Sequence, residues 1–160
     1  MSRKGQTKIR HLEPDTLYQS PVVAKLINRS LRDGKKTSAQ KQVYLALEIL
    51  KKESKSEDVL ISLEQALDNI KPKVEVRPKR IGGAVYQVPT PVRGARQYSL
   101  AIRWLINAAR ARANKQYHTY GEKLAAELLS ALNSEGAAVT KRVEVERMAE
   151  ANKAFSHMRW

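Results

Sequence analysis

The chain has 160 residues, with 30 Lys and Arg against 16 Asp and Glu, a net charge of +14 and a pI near 10.1. That length with 42% apolar content suits one domain with a modest core, and the charge makes a polyanion the expected partner. The absence of cysteine excludes disulfides, zinc knuckles and thiol nucleophiles; no apolar run approaches the ~20 residues of a membrane span, and the first apolar residues come singly among charges, unlike a secretory signal.

Residues 1–13 read as an extended basic arm. Arg3, Lys4, Lys8 and Arg10 precede the first acid, Glu13, without periodicity, and are expected to order on a polyanion. Ser20 is the expected N-cap of a first helix, with Pro21 at its first position. Val22, Val23, Leu26 and Ile27 form its apolar face; Lys25, Arg29 and Arg32 lie elsewhere on the wheel. Asp33-Gly34 should end it, leaving Lys35 and Lys36 in a short connector that reads as a phosphate contact or a solubilising turn. A second helix is expected from Thr37 or Ser38, with Val43, Tyr44, Leu47 and Leu50 inward, running out in Lys51–Lys55. Ser56 is the expected cap of a third, with Glu57 and Asp58 in its first turn, Val59, Leu60, Leu63, Ala66, Leu67 and Ile70 on one face, and Pro72 as its stop.

Residues 76–121 contain no acid, yet hold Arg77, Lys79, Arg80, Arg93, Arg96, Arg103, Arg110, Arg112 and Lys115. The stretch reads as a hairpin followed by a helix. Period-two alternation in 73–77 and 84–88, with Gly82-Gly83 between, predicts a β-hairpin over 73–89. Two strands alone are marginal, so the hairpin is expected to protrude from a helical body and grip a partner with Lys79, Arg80, Ile81 and Tyr86. The helix spans about Gly94 to Ala113. At 100° per residue Arg96, Arg103 and Arg110 differ by about 20° from one to the next, beside Asn107, and Ala101, Ile102, Trp104, Leu105, Ile106, Ala108 and Ala109 fill the rest of the wheel. Arginine pairs bidentately with phosphate, which makes Arg93, Arg96, Arg103 and Arg110 the expected clamp, extended by Lys35, Lys36, Arg77, Lys79 and Arg80. Lys25, Arg112, Lys115, Lys141 and Arg142 complete the candidate RNA-binding set.

A fifth helix follows, to about Leu132, with Leu124, Ala125, Leu128, Leu129 and Leu132 inward. The last, from near Ala138, is expected to continue toward the end of the chain and to present Met148, Phe155, Met158 and the terminal Trp160 for protein contact. The three histidines, His11, His118 and His157, lack ligand spacing, and Glu144 and Glu146, two apart, fall on different helix faces. No phosphate loop, dinucleotide fingerprint or nucleophile elbow occurs, so no catalytic residue, metal or cofactor is expected. Nine aromatic residues, one Phe, two Trp and six Tyr, are too sparse for a multi-base stacking platform.

The whole chain nonetheless carries a pattern. Lys71-Pro-Lys-Val-Glu-Val-Arg77, Arg80-Ile-Gly-Gly-Ala-Val-Tyr-Gln-Val-Pro89, Ala101-Ile-Arg-Trp104, Ala108-Ala-Arg-Ala-Arg112 and Arg147-Met-Ala-Glu-Ala-Asn-Lys-Ala-Phe155 closely resemble the family of the seventh small-subunit ribosomal protein, bacterial type. Pro78, Pro91, Gly94 and Val143-Glu144-Val145 depart from that family's usual residues. The resemblance implies a mainly α fold: one domain over 1–160, a six-helix body with one β-hairpin and a C-terminal helix and tail over 138–160. It implies a structural constituent of the small subunit and not an enzyme, nucleating assembly of the head (3′ major) domain of the rRNA. Its hairpin would lie near tRNA at the exit site and near mRNA. The ninth and eleventh small-subunit proteins would be neighbours, with no membrane and no homo-oligomer, on a cytoplasmic or organellar ribosome. The alternative reading is a DNA-bending architectural protein whose β-arm carries Pro78 or Ile81 as a wedge.

Overall fold

The computed structural model describes residues 12–54 and 58–158. Six α-helices and one hairpin follow in order: α1 (Pro21–Ser30), α2 (Lys36–Ser54), α3 (Val59–Ile70), β1 (Val74–Ile81), β2 (Ala84–Pro91), α4 (Ala95–Ala111), α5 (Tyr120–Leu132) and α6 (Ala137–Ala151), then a 3-10 helix (Lys153–Met158). The mainly helical class with a single hairpin is as the sequence implied.

The helices start where local chemistry dictates. Ser20 Oγ accepts the Val22 N–H at 3.3 Å, and Pro21, which lacks an N–H, occupies the first turn of α1. Thr119 and Glu122 form a reciprocal capping box at α5. The cap of α3 is Asp58, which accepts the Leu60 N–H at 2.8 Å; it precedes the helix rather than lying in its first turn. Ser56, the expected cap, and Glu57 lie outside the described residues. Lys36 opens α2 instead of sitting in the connector, because the Asp33-Gly34 turn already reverses the chain with φ of 52° and 73°.

The core is centred on α5, which packs on α2, α3, α4 and α6. Leu124 and Leu128 are fully buried among Leu47, Leu50, Leu63, Leu67 and Leu105, each contributing about 1.5–3 kcal/mol by leaving water. Gly121 permits the close approach of α5 to α2: a Cβ there would lie 2.8 Å from the Gln42 carbonyl oxygen. Among the described residues no helix is long and apolar enough to cross a membrane.

The hairpin is longer than its sequence pattern. Eight residues per strand pair from Val74↔Pro91 to Ile81↔Ala84, and Pro78 sits within the ladder opposite Gln87. Gly82 and Gly83, with φ of 57° and 92°, close a two-residue turn that only positive φ allows. The hairpin does not stand clear of the body as expected. Val88 is fully buried, and the C-terminal segment lies along it, with Tyr86 and Phe155 rings 5.3 Å apart and Lys79 Nζ donating to the Met158 carbonyl at 3.2 Å. A bare ribbon has too little apolar contact to hold itself, and Phe155 supplies some. The last helix does not run on to the end. It breaks at Asn152, whose side chain turns back to the Met148 carbonyl at 2.8 Å and competes with the helical ladder.

Candidate nucleic-acid interface

Two helices build a basic cleft. Neither α1 nor α4 contains an Asp or Glu. Lys25, Asn28 and Arg29 of α1 and Ala95, Ser99 and Ile102 of α4 line a hollow of about 370 Å³. A second hollow, of about 340 Å³, lies at the other end of the pair and brings Arg32, Arg110, His118 and Lys123 together. Arg110 joins the two helices: its Nη2 donates to the Ser30 carbonyl at 3.0 Å, and its guanidinium lies 5.8 Å from the centre of the Tyr120 ring. Burial pushes the Tyr120 hydroxyl above its ordinary pKa, against the Ser30 hydrogen bond and the Arg110 charge, so it stays a neutral partner to Arg110. Arg103, on the same stripe, is half-buried and its Nε has no partner among the described residues. A buried donor without an acceptor is costly alone and satisfied by an anion.

The remaining arginines of the acid-free stretch divide sharply. Arg93 is exposed just ahead of α4, and Lys115 is exposed after it. Arg96 instead donates through Nε and Nη2 to Glu75 Oε2 at 3.2 and 3.1 Å, and Arg77 donates to the other oxygen. Burial would raise the Glu75 carboxyl, but hydrogen bonds and charge from Arg77 and Arg96 hold it below its ordinary value. Arg112 turns inward, its side chain 23% exposed. Its Nε meets Glu127 at 2.7 Å, and its Nη2 donates to Ser130 Oγ and the Ala126 carbonyl. Glu127 is 1% exposed and also accepts the Ala138 N–H, so the pair welds α4, α5 and the start of α6. Arg112, expected to contact RNA, is a structural residue here.

On the hairpin, Lys79 and Tyr86 are register partners, and both touch the C-terminal segment. Tyr86, expected to face an RNA, faces Phe155. The exposed side of the ribbon carries Pro78, Arg80, Val85 and Gln87, with Val85 62% exposed. Ile81 is half-buried, and Gly82 and Gly83 are exposed at the tip. Lys35 and Lys36 are exposed where α2 begins. Lys141 and Arg142 pair with Glu144 and Glu146 of their own helix, at 2.9 and 3.8 Å, and line neither hollow. Met148 is 49% exposed on α6 and Met158 half-buried in the 3-10 helix. The arm cations Arg3, Lys4, Lys8 and Arg10, and Trp160, lie outside the described residues. Among the described residues no group of His, Cys, Asp and Glu is placed to hold a metal ion.

Arg29 and Arg32 were not singled out by the sequence, although 25, 29 and 32 recur at helical spacing. Lys71 was missed too. It lies 3.5 Å over the Tyr98 ring, with Lys25 5.9 Å from the same ring. Burial alone would lower the Lys71 ammonium, but Asp68 and Tyr98 hold it above its ordinary value, so it stays charged beside the cleft.

The family described as ribosomal protein S7p/S5e matches residues 2–153 of this chain. Curated relatives called small ribosomal subunit protein uS7 match over their full length and all of this chain: 51% identical in Sulfurihydrogenibium sp. (strain YO3AOP1), 52% in Caldicellulosiruptor bescii and 50% in Dictyoglomus thermophilum.

Proposed function

The chain belongs to the ribosomal protein S7p/S5e family and is a ribosomal protein of the small subunit, a structural and non-enzymatic class; from that premise we propose that it grips the head domain of the small-subunit rRNA in the cleft between α1 and α4. The observation that carries this reading is a cleft whose α1 wall presents Lys25 and Arg29, with no acid in either helix. Double-helical RNA hides its base edges in a deep, narrow groove, so a rigid protein reads phosphate positions and 2′-hydroxyls. Where rRNA helices converge, their backbones repel. Lys25 and Arg29 supply the charge at this cleft and hold such backbones at a fixed spacing, and Arg103, on the arginine stripe of α4, adds a further guanidinium to the acid-free surface. The reaction-free role is to lower the cost of one RNA arrangement, which nucleates head assembly.

The hairpin and the C-terminal segment extend the reading. The exposed ribbon face, with Arg80 opposite Val85, is the side offered to tRNA at the exit site and to the mRNA path. Exposed Met148 on α6 is the side offered to the eleventh small-subunit protein, with the ninth beside the helical body.

The test is a titration against a head-domain rRNA fragment and a duplex DNA of equal length, across a salt series. The rRNA should bind far more tightly, and Arg29→Gln with Arg103→Gln should remove most of that preference. Equal affinities that fade together with salt would reduce the cleft to a general polyanion surface and reopen the DNA-bending alternative.

A further inference from the structure

Lys123 of α5 is 8% exposed and is the one buried cation among the described residues. Its Nζ donates to the Arg112 carbonyl at 2.7 Å and to Asn114 Oδ1. Both acceptors are neutral, an ammonium has three donors, and among the described residues no carboxylate pairs with this one. The buried carboxylates Glu75 and Glu127 differ, since each has an arginine. A buried charge without a counter-charge is costly. Its position adds to the cost: Lys123 lies at the N-terminal end of α5, where the helix dipole favours an anion.

The neighbours of Lys123 carry the same sign. It lines the hollow of about 340 Å³ with Arg32, Arg110 and His118, and no Asp or Glu lines it. Arg32 is exposed, and its side chain has no partner among the described residues. Arg110 gives one hydrogen bond, to the Ser30 carbonyl, and keeps further guanidinium donors. The acids nearest in sequence are placed elsewhere. Glu122 accepts the N–H groups of His118 and Thr119 and lines a different hollow, with Ile49 and Leu129. Asp33 sits in the turn after Arg32 and does not line this one.

We propose that this hollow is a phosphate site separate from the α1–α4 cleft, with Lys123 as its buried anchor and Arg32 and Arg110 closing on the same oxyanion. A tetrahedral anion meets an ammonium and two guanidinium forks there, which are the groups that bind phosphate through charged hydrogen bonds. The phosphate is inorganic phosphate in the free protein or a phosphodiester of an RNA backbone. Because Lys123 also holds the Arg112 carbonyl and Asn114, the bound anion would steady the connector between α4 and α5.

The experiment titrates the full chain with sodium phosphate, and with sodium chloride at equal ionic strength and pH, following backbone amide NMR shifts and Tm. Phosphate alone should give saturable shifts in the connector and the first turn of α5, and a Tm that rises with its concentration. Lys123→Met should weaken phosphate by about tenfold or more, as expected for a buried charged hydrogen bond. Arg32→Gln, at an exposed position, should weaken it by about two- to fivefold. Lys141→Gln, which removes one charge that lines neither hollow, should leave it unchanged. Shifts that chloride reproduces, or equal phosphate affinity in Lys123→Met and wild type, would overturn the proposal. Should Lys123→Met not fold, unchanged affinity in Arg32→Gln overturns it alone. A salt series on the head-domain rRNA fragment separates the two sources once phosphate binding is saturable. A slope smaller by about 0.7–0.9 in Arg32→Gln assigns the hollow to an RNA phosphate, and an unchanged slope assigns it to free phosphate. Failure of the cleft reading has its own signature, wild-type protein without preference for rRNA over DNA, and leaves the phosphate titration as it stands.

Discussion

Arg103 and Arg112 share one helix or its cap and look alike in sequence, but they should behave oppositely when changed to Gln. Arg112→Gln removes the partner of Glu127, a carboxylate 1% exposed and 2.7 Å from the guanidinium. Breaking a buried pair costs about 3–5 kcal/mol, because the remaining charge stays buried without compensation. The Arg112 side chain is 23% exposed, so the lower end applies, about 3 kcal/mol. At about 2–4 °C per kcal/mol for a chain of this size, Tm should fall by about 6–12 °C. Its salt slope for rRNA should be unchanged. Among the described residues the buried Nε of Arg103 has no partner for Arg103→Gln to remove. Stability should stay within about 0.5 kcal/mol. The slope of log affinity against log salt should shrink by about 0.7–0.9 for each phosphate released, with a loss of about 1.5–3 kcal/mol in binding. The assay pairs thermal unfolding by circular dichroism with filter binding over a salt series. A reduced salt slope for Arg112→Gln without loss of Tm would refute the division between the two arginines. So would several kcal/mol of destabilisation from Arg103→Gln.

Gly83 has φ of 92° with open space around its would-be Cβ, so Gly83→Ala strains the backbone rather than creating a clash. It should cost about 1–2 kcal/mol and speed amide exchange at the hairpin tip by roughly tenfold, whereas Gly82→Asn, at φ of 57°, should be tolerated. If both variants exchange alike, the two-residue turn is not what sets the hairpin. Glu75 supplies a pH dependence of known sign. Its folded pKa lies below the ordinary 4.5, so its contribution is complete above that value and declines as pH falls through the folded one. Carboxyl NMR shifts should titrate below 4.5, with the amides of the paired residue Thr90 losing protection in the same range. A Glu75 midpoint above 4.5 would contradict the double arginine contact.

The sequence by itself determined the elements and the kind of partner. Period 3.6 and period two are properties of the covalent chain, so the apolar faces of α1 to α5, the Ser20 cap and the Gly82-Gly83 turn could be read from residue order alone. The absence of acids from residues 76–121 likewise stands in the sequence. Which of those cations face outward was decided by tertiary structure. Glu75 and Glu127 flank the stretch in sequence but fold back onto Arg77, Arg96 and Arg112, because ion pairing depends on distance in space and not along the chain. The helical wheel gave the direction of Arg103 around its own axis, yet not the neighbour it would meet, and the cations of the cleft came from Lys25 and Arg29 of α1. Tyr86 looked like a surface contact until Phe155, 69 residues later, covered it; a single aromatic pair at that separation leaves no periodic trace.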